Sequence, residues 1–159
     1  MAKLNAERVK VEWRRMPEVE ALIEELVEKY HRHLARAKIL ALGKPKATKR
    51  AGGKVNVAKA KRATPALNAL VKDELGEVHY LVEVGIDAWD GLDAKQRRIV
   101  LDHELCHFVG EDLETGKWGL VGHDVEEFTD ILRRHGAWPA DLHLFAKEFG
   151  LGFSLISFY

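Results

Sequence analysis

Apolar residues recur at steps of three and four between Pro17 and Ala35, where Leu22, Ile23, Leu26, Tyr30 and Leu34 share one helical face. Pro17 suits a first helical position, and the acidic residues after it suit the positive end of the helix. The period then shortens. Residues 38–43 read as a short strand, a Lys/Gly/Pro-rich loop spans Gly43 to Gly53, and Val55–Lys59 alternates like a second strand. A short helix is expected over Pro65–Val71. Val78, Tyr80, Val82 and Val84 alternate with His79, Leu81 and Glu83, the signature of a half-buried strand. The best-defined helix is expected from about Asp93 to Val109, with Asp93 as N-cap, Gln96 completing a capping box and Gly110 as the stop. Residues 111–121 read as a loop. A further helix starts near His123 or Asp124, carries Val125, Phe128, Ile131 and Leu132 as its stripe, and stops at Gly136. Pro139 opens a last helix, and an apolar tail of strand-like composition closes the chain over residues 151–159. Helix, strands and then helices predict an α+β arrangement in a single domain over 1–159.

Composition changes this picture little. A chain of 159 residues suits one ordinary domain, and 47% hydrophobic with 31% charged content allows a real core. Its longest apolar runs fall well short of the roughly 18 to 20 residues of a membrane helix, and residues 1–15 hold no signal-peptide core. With one cysteine, Cys106, no internal disulfide framework is possible. A cytoplasmic protein with no membrane partner is expected.

Charge changes it more. The formal net charge is zero, yet 13 Lys and Arg and no Asp or Glu lie between Lys29 and Lys72, while 18 acidic and 7 basic residues follow from Asp73 on. Lys44, Lys46, Lys49, Arg50, Lys54, Lys59, Lys61 and Arg62 concentrate the basic half in residues 44–62. Such a segment can track a phosphate backbone, which makes DNA contact through 44–62 an expectation. It lacks interleaved aromatics, so base stacking is not indicated. A solvated loop that offsets the acidic half is the plainer alternative.

The sharpest feature is His103-Glu104-Leu105-Cys106-His107 within the best-defined helix. Histidines at i and i+4 project from one helix face, close enough for both imidazoles to bind one Zn²⁺. Glu104, about 100° around the helix, can take a proton from a metal-bound water instead of binding the metal. Catalytic zinc usually has three protein ligands and an open position. His123 is the favoured third ligand, with Glu126 or Glu127 as replacement or support. Alternatively, Asp124, Glu126 and Glu127 merely favour a helix N-terminus.

HELCH followed by GHDVEEF resembles the SprT-like zincin metallopeptidases, and the stretch from about Pro17 to Trp138 is similar to a phage-type metallopeptidase group. In this chain Glu127-Phe128 lies one residue further from the histidine than in the better-known SprT-like pattern. The resemblance implies a zincin-like domain with a small sheet, His103, His107 and His123 as zinc ligands, and Glu104 as general base. It also implies hydrolysis of a protein or peptide by a zinc-activated water.

The strand Val78–Val84 is a candidate edge for an extended peptide. Tyr80, His79 and His135 are oxyanion donors by chemistry, although a core tyrosine and solvated histidines are the plainer reading. Cys106 is expected to be small, buried packing. His31, His33 and His143 are expected on the surface without partners, and Trp13, Trp89, Trp118 and Trp138 in core or rim packing. The rivals to an enzyme are a zinc-containing nucleic-acid-binding module and a partner-binding protein without proteolytic activity. The glutamate at 104 and the lack of closing cysteines favour the enzyme.

Overall fold

Pro17 begins helix α1 (Pro17–Tyr30) directly after a two-residue strand, β1 (Arg14–Arg15), and the buried Met16 joins them. The computed structural model describes residues 11–123, 133–136 and 140–150. The chain divides into two compact units, Met1–Val121 and Gly122–Tyr159.

In the first unit α1 buries Val19, Ile23 and Leu26; of the expected stripe Ile23, Leu26 and Leu34 are buried, Leu22 is partly buried and Tyr30 is exposed. A 3₁₀ turn at Arg32–Leu34 leads into β2 (Ile39–Lys44). The basic segment then folds as a small hairpin, β3 (Thr48–Lys49) with β4 (Val55–Asn56), and continues as β5 (Ala58–Arg62). Helix α2 (Pro65–Leu75) is capped by the Thr64 hydroxyl, which accepts from Leu67 N–H. Strand β6 (Tyr80–Gly85) follows, then a short helix α3 (Ile86–Asp90) and α4 (Ala94–Cys106).

The main sheet has the order β1-β2-β6-β5, with β2 and β6 parallel and both outer pairings antiparallel. Its register runs from Ile39↔Tyr80 to Lys44↔Gly85 on one side of β6 and from Ala58↔Val84 to Arg62↔Tyr80 on the other. Tyr80, Val82 and Val84 are wholly buried, in one cluster with Val19, Ile23 and Leu26 of α1 and Leu101 and Leu105 of α4. The α+β class is therefore as the patterning predicts.

Two local expectations fail. Helix α4 ends at Cys106 with His107 as its C-cap, not at Val109. The next residues form β7 (Phe108–Glu111), antiparallel to β8 (Trp118–Leu120) in what was expected to be a loop. Phe108 is buried and stacks on Tyr80 with ring centroids 4.0 Å apart, so continuing the helix would withdraw it from the core. The Tyr80 hydroxyl locks the hairpin, accepting from Gly110 N–H at 3.1 Å and donating to the Gly119 carbonyl at 2.8 Å. Gly110 is no helix stop. It follows a bulge at Val109 with φ of 93°, a conformation glycine adopts without strain.

In the second unit residues 133–135 are helical, Gly136 has a φ of 67°, and a helix covers Ala140–Glu148, near the one expected from Pro139. The expected stripe Val125, Phe128, Ile131 and Leu132, the carboxylates Asp124, Glu126 and Glu127, Trp138, and the tail 151–159 lie outside the described residues.

Candidate metal centre

The Asp93 carboxylate accepts from Gln96 N–H at 2.8 Å, and the Gln96 side chain accepts from Asp93 N–H at 3.0 Å. This complete capping box starts α4. Leu101 and Leu105 anchor its inner face, which fixes the direction of every side chain between them. His103 is exposed and His107 half-buried, with ring centroids 5.3 Å apart at 74°. The pair is therefore brought together as the four-residue spacing requires.

His107 is further oriented by the end of the β7–β8 hairpin. Its Nδ1 lies 2.7 Å from the Val121 carbonyl, while Val121 N–H donates to the His107 carbonyl at 2.9 Å. A carbonyl only accepts, so Nδ1 carries the proton in the neutral ring and the lone pair sits on Nε2. Backbone acceptors commonly fix metal-binding histidines in this way. His123, which is exposed, follows Val121 by two residues, a chain reach of at most about 7 Å. Of the three expected ligands, His103 and His107 stand side by side on α4, and His123 opens the second unit.

Glu104 points elsewhere. It is 8% exposed, and its Oε2 accepts from Ala60 N–H of β5 at 2.7 Å. In an antiparallel pair, alternate residues turn their N–H and C=O groups away from the partner strand. Ala60 is such a residue, and its outward N–H is spent on the glutamate. No sequence signal marks Ala60, because the contact uses backbone only.

The remaining sequence expectations resolve case by case. Strand β6 is no edge for a substrate, because it lies between β2 and β5; β5 is the outer strand. Tyr80 is the core tyrosine of the plainer reading, fully buried with its hydroxyl engaged, and burial raises its pKa against the lowering influence of Gly110 and Arg62. His79 accepts from Lys38 N–H at 2.8 Å and stacks on Trp118 at 3.9 Å. Burial holds its pKa below the ordinary value, outweighing Glu77 and Glu111. His135 and His143 are exposed in the second unit.

Cys106 is exposed rather than buried, because the core side of this turn is taken by Leu101 and Leu105. His31 is buried rather than on the surface, since the chain turns inward at the end of α1, and its Nε2 meets Asp102 Oδ1 at 2.6 Å. His33 is exposed but has a partner, the Phe108 carbonyl at 2.9 Å. Trp89 belongs to the core, Trp118 packs against it, and Trp13 is exposed.

The basic segment is not a uniform cationic surface. Lys44 and Lys61 pair with Glu83 at 3.0 and 2.6 Å. Burial works against the Glu83 carboxylate, but the two lysines outweigh it and hold its pKa below the ordinary range.

The model of a family described as "Putative phage metallopeptidase" matches residues 11–149. The chain belongs to that family. The match spans β1 to the helix over Ala140–Glu148 and includes His103, His107 and His123. No curated protein and no solved structure matches the chain. At the coarse level the family is one of hydrolases acting on protein, and its name and the His103–His107 pair both point to a metal ion. The donors suit one: neutral imidazoles bind zinc and its neighbours through a ring nitrogen, and the tautomer of His107 is already set for Nε2. No helix of the described residues is long and apolar enough to cross a membrane.

Proposed function

We propose that the protein is a zinc-dependent peptidase in which His103, His107 and His123 hold the ion and Glu104 is the general base. The observation that carries this reading is the divergence of side chains on α4. Two imidazoles stand one turn apart on its outer side, while the intervening glutamate is buried and held by a backbone N–H of β5. A structural zinc site has no use for an oriented carboxylate beside its ligands.

A bound zinc ion supplies Lewis acidity, lowering the pKa of a water toward about 7 and polarising the scissile carbonyl. The protein's own groups do the rest. Glu104 accepts the proton of the attacking water and returns it to the leaving amine. Its bond from Ala60 restricts rotation of the carboxylate, so the proton-accepting oxygen is positioned before substrate arrives. As outer strand, β5 offers an extended peptide only the positions flanking Ala60, whose outward N–H is held by Glu104. A cleft of about 1080 Å³ lined by Lys59 to Pro65, Trp118 and Leu120 runs beside it.

Cleavage of an unfolded protein by wild type and by Glu104→Gln tests the reading. Loss of cleavage with unchanged metal content supports it, and equal cleavage by both overturns it. For the third ligand, His123→Ala should lose metal affinity; full retention removes His123 from the set.

A further inference from the structure

Helix α4 carries two i, i+4 pairs of metal-binding residues, one residue out of phase. His103 and His107 form one pair, Asp102 and Cys106 the other, rotated by about 100° around the axis. The second pair faces the C-cap of α1. There His31, 6% exposed and tied through its N–H to the Val27 carbonyl, brings Nε2 to 2.6 Å from Asp102 Oδ1. The imidazole nitrogen, a carboxylate oxygen and the Cys106 sulfur all lie within 4.8 Å of one another.

We propose that His31, Asp102 and Cys106 form a second zinc site, distinct from the three-histidine group. One imidazole, one carboxylate and one thiolate make a borderline-soft donor set, which suits zinc better than magnesium or calcium. Ligands bonded to one zinc ion at about 2.0 to 2.3 Å stand between 3 and 4 Å apart. A slight opening of the His31–Asp102 contact and a closing of the thiol onto it therefore accommodate the ion. The buried histidine is a fixed anchor, and the exposed cysteine and partly exposed aspartate leave an entry path. Binding releases the thiol proton to solvent, and the neutral His31 ring keeps its one proton on Nδ1 while Nε2 takes the ion. Bound there, zinc would clamp the end of α1 to the turn of α4 that carries the His103–His107 pair.

Cobalt(II) titration of the metal-free full chain, kept reduced with a phosphine, tests this. Wild type should develop a thiolate-to-cobalt charge-transfer band in the near ultraviolet, which three histidines cannot produce. Cys106→Ala should lose the band and take up one cobalt ion fewer. Asp102→Asn should weaken the band-forming step at least about tenfold, and His103→Ala should keep it. Absence of the band in wild type at saturating cobalt, or equal uptake by wild type and Cys106→Ala, overturns the proposal. Neither result touches the peptidase reading, which stands or falls with Glu104.

Discussion

Strands β6 and β5 are hydrogen-bonded neighbours with opposite characters. β6, YLVEVG, alternates cleanly, buries Tyr80, Val82 and Val84 completely, and is paired on both sides. β5, AKAKR, has three cations in five residues, a single strand partner and an outward N–H that orients Glu104. The strength of a strand's pattern measures how much of it is buried, because burial is what imposes alternation. It does not measure nearness to the chemistry. The well-patterned strand builds the scaffold, and the weakly patterned one touches the proposed base.

This contrast can be broken by separating activity from stability. Glu104→Gln keeps an acceptor for Ala60 N–H but cannot take a proton. Its kcat should fall about 10² to 10⁴-fold, with an unchanged urea midpoint. Val82→Ala in β6 should do the opposite, costing about 2 kcal/mol in urea unfolding while activity per folded molecule stays constant. Should Val82→Ala lower kcat as Glu104→Gln does, the division between scaffold and site fails.

Ala60→Pro probes the boundary between the two strands. It deletes the N–H that holds Glu104 but no bond to β6, and proline is tolerated on the outer side of an edge strand. A fall in kcat of about tenfold, the worth of one hydrogen bond, is expected with little change in unfolding. Full activity would mean that β5 does not position the base.

The smallest effect concerns Glu83, where β6 meets Lys44 of β2 and Lys61 of β5. Its pKa is lowered in the folded state, so its ion pairs stabilise the protein above the unfolded value of 4.5 and are lost as pH falls through the folded value. Wild type should therefore exceed Glu83→Gln in stability at neutral pH, with the two converging as the pH falls below 4.5. A pH-independent difference in urea midpoint would rule out the carboxylate as its source.

Much of the scaffold is readable from local rules. The capping box of α4 and the alternation of β6 each depend on residues close in sequence, and each appears where those rules put it, while the stripe of α1 holds at Ile23 and Leu26 but not at Tyr30, which is exposed. The His103–His107 pair is readable for the same reason, since helix geometry alone brings i and i+4 together. The end of α4 is not. Gly110 looks like a stop, but Phe108 leaves the helix earlier to stack on Tyr80, a partner 28 positions away. Nor is the environment of His31, whose carboxylate partner is 71 residues distant.

The sequence by itself determined the α+β class, the pairing of His103 with His107 and the position of the glutamate between them, because all three follow from periods of 3.6 and 2 along the backbone. Only the tertiary structure decided which strand lies beside that glutamate, which cysteine face meets solvent and which histidine is buried against α4. Those outcomes depend on strand order and on contacts between distant residues. Local patterning reports whether a side chain is buried, but not what it is buried against.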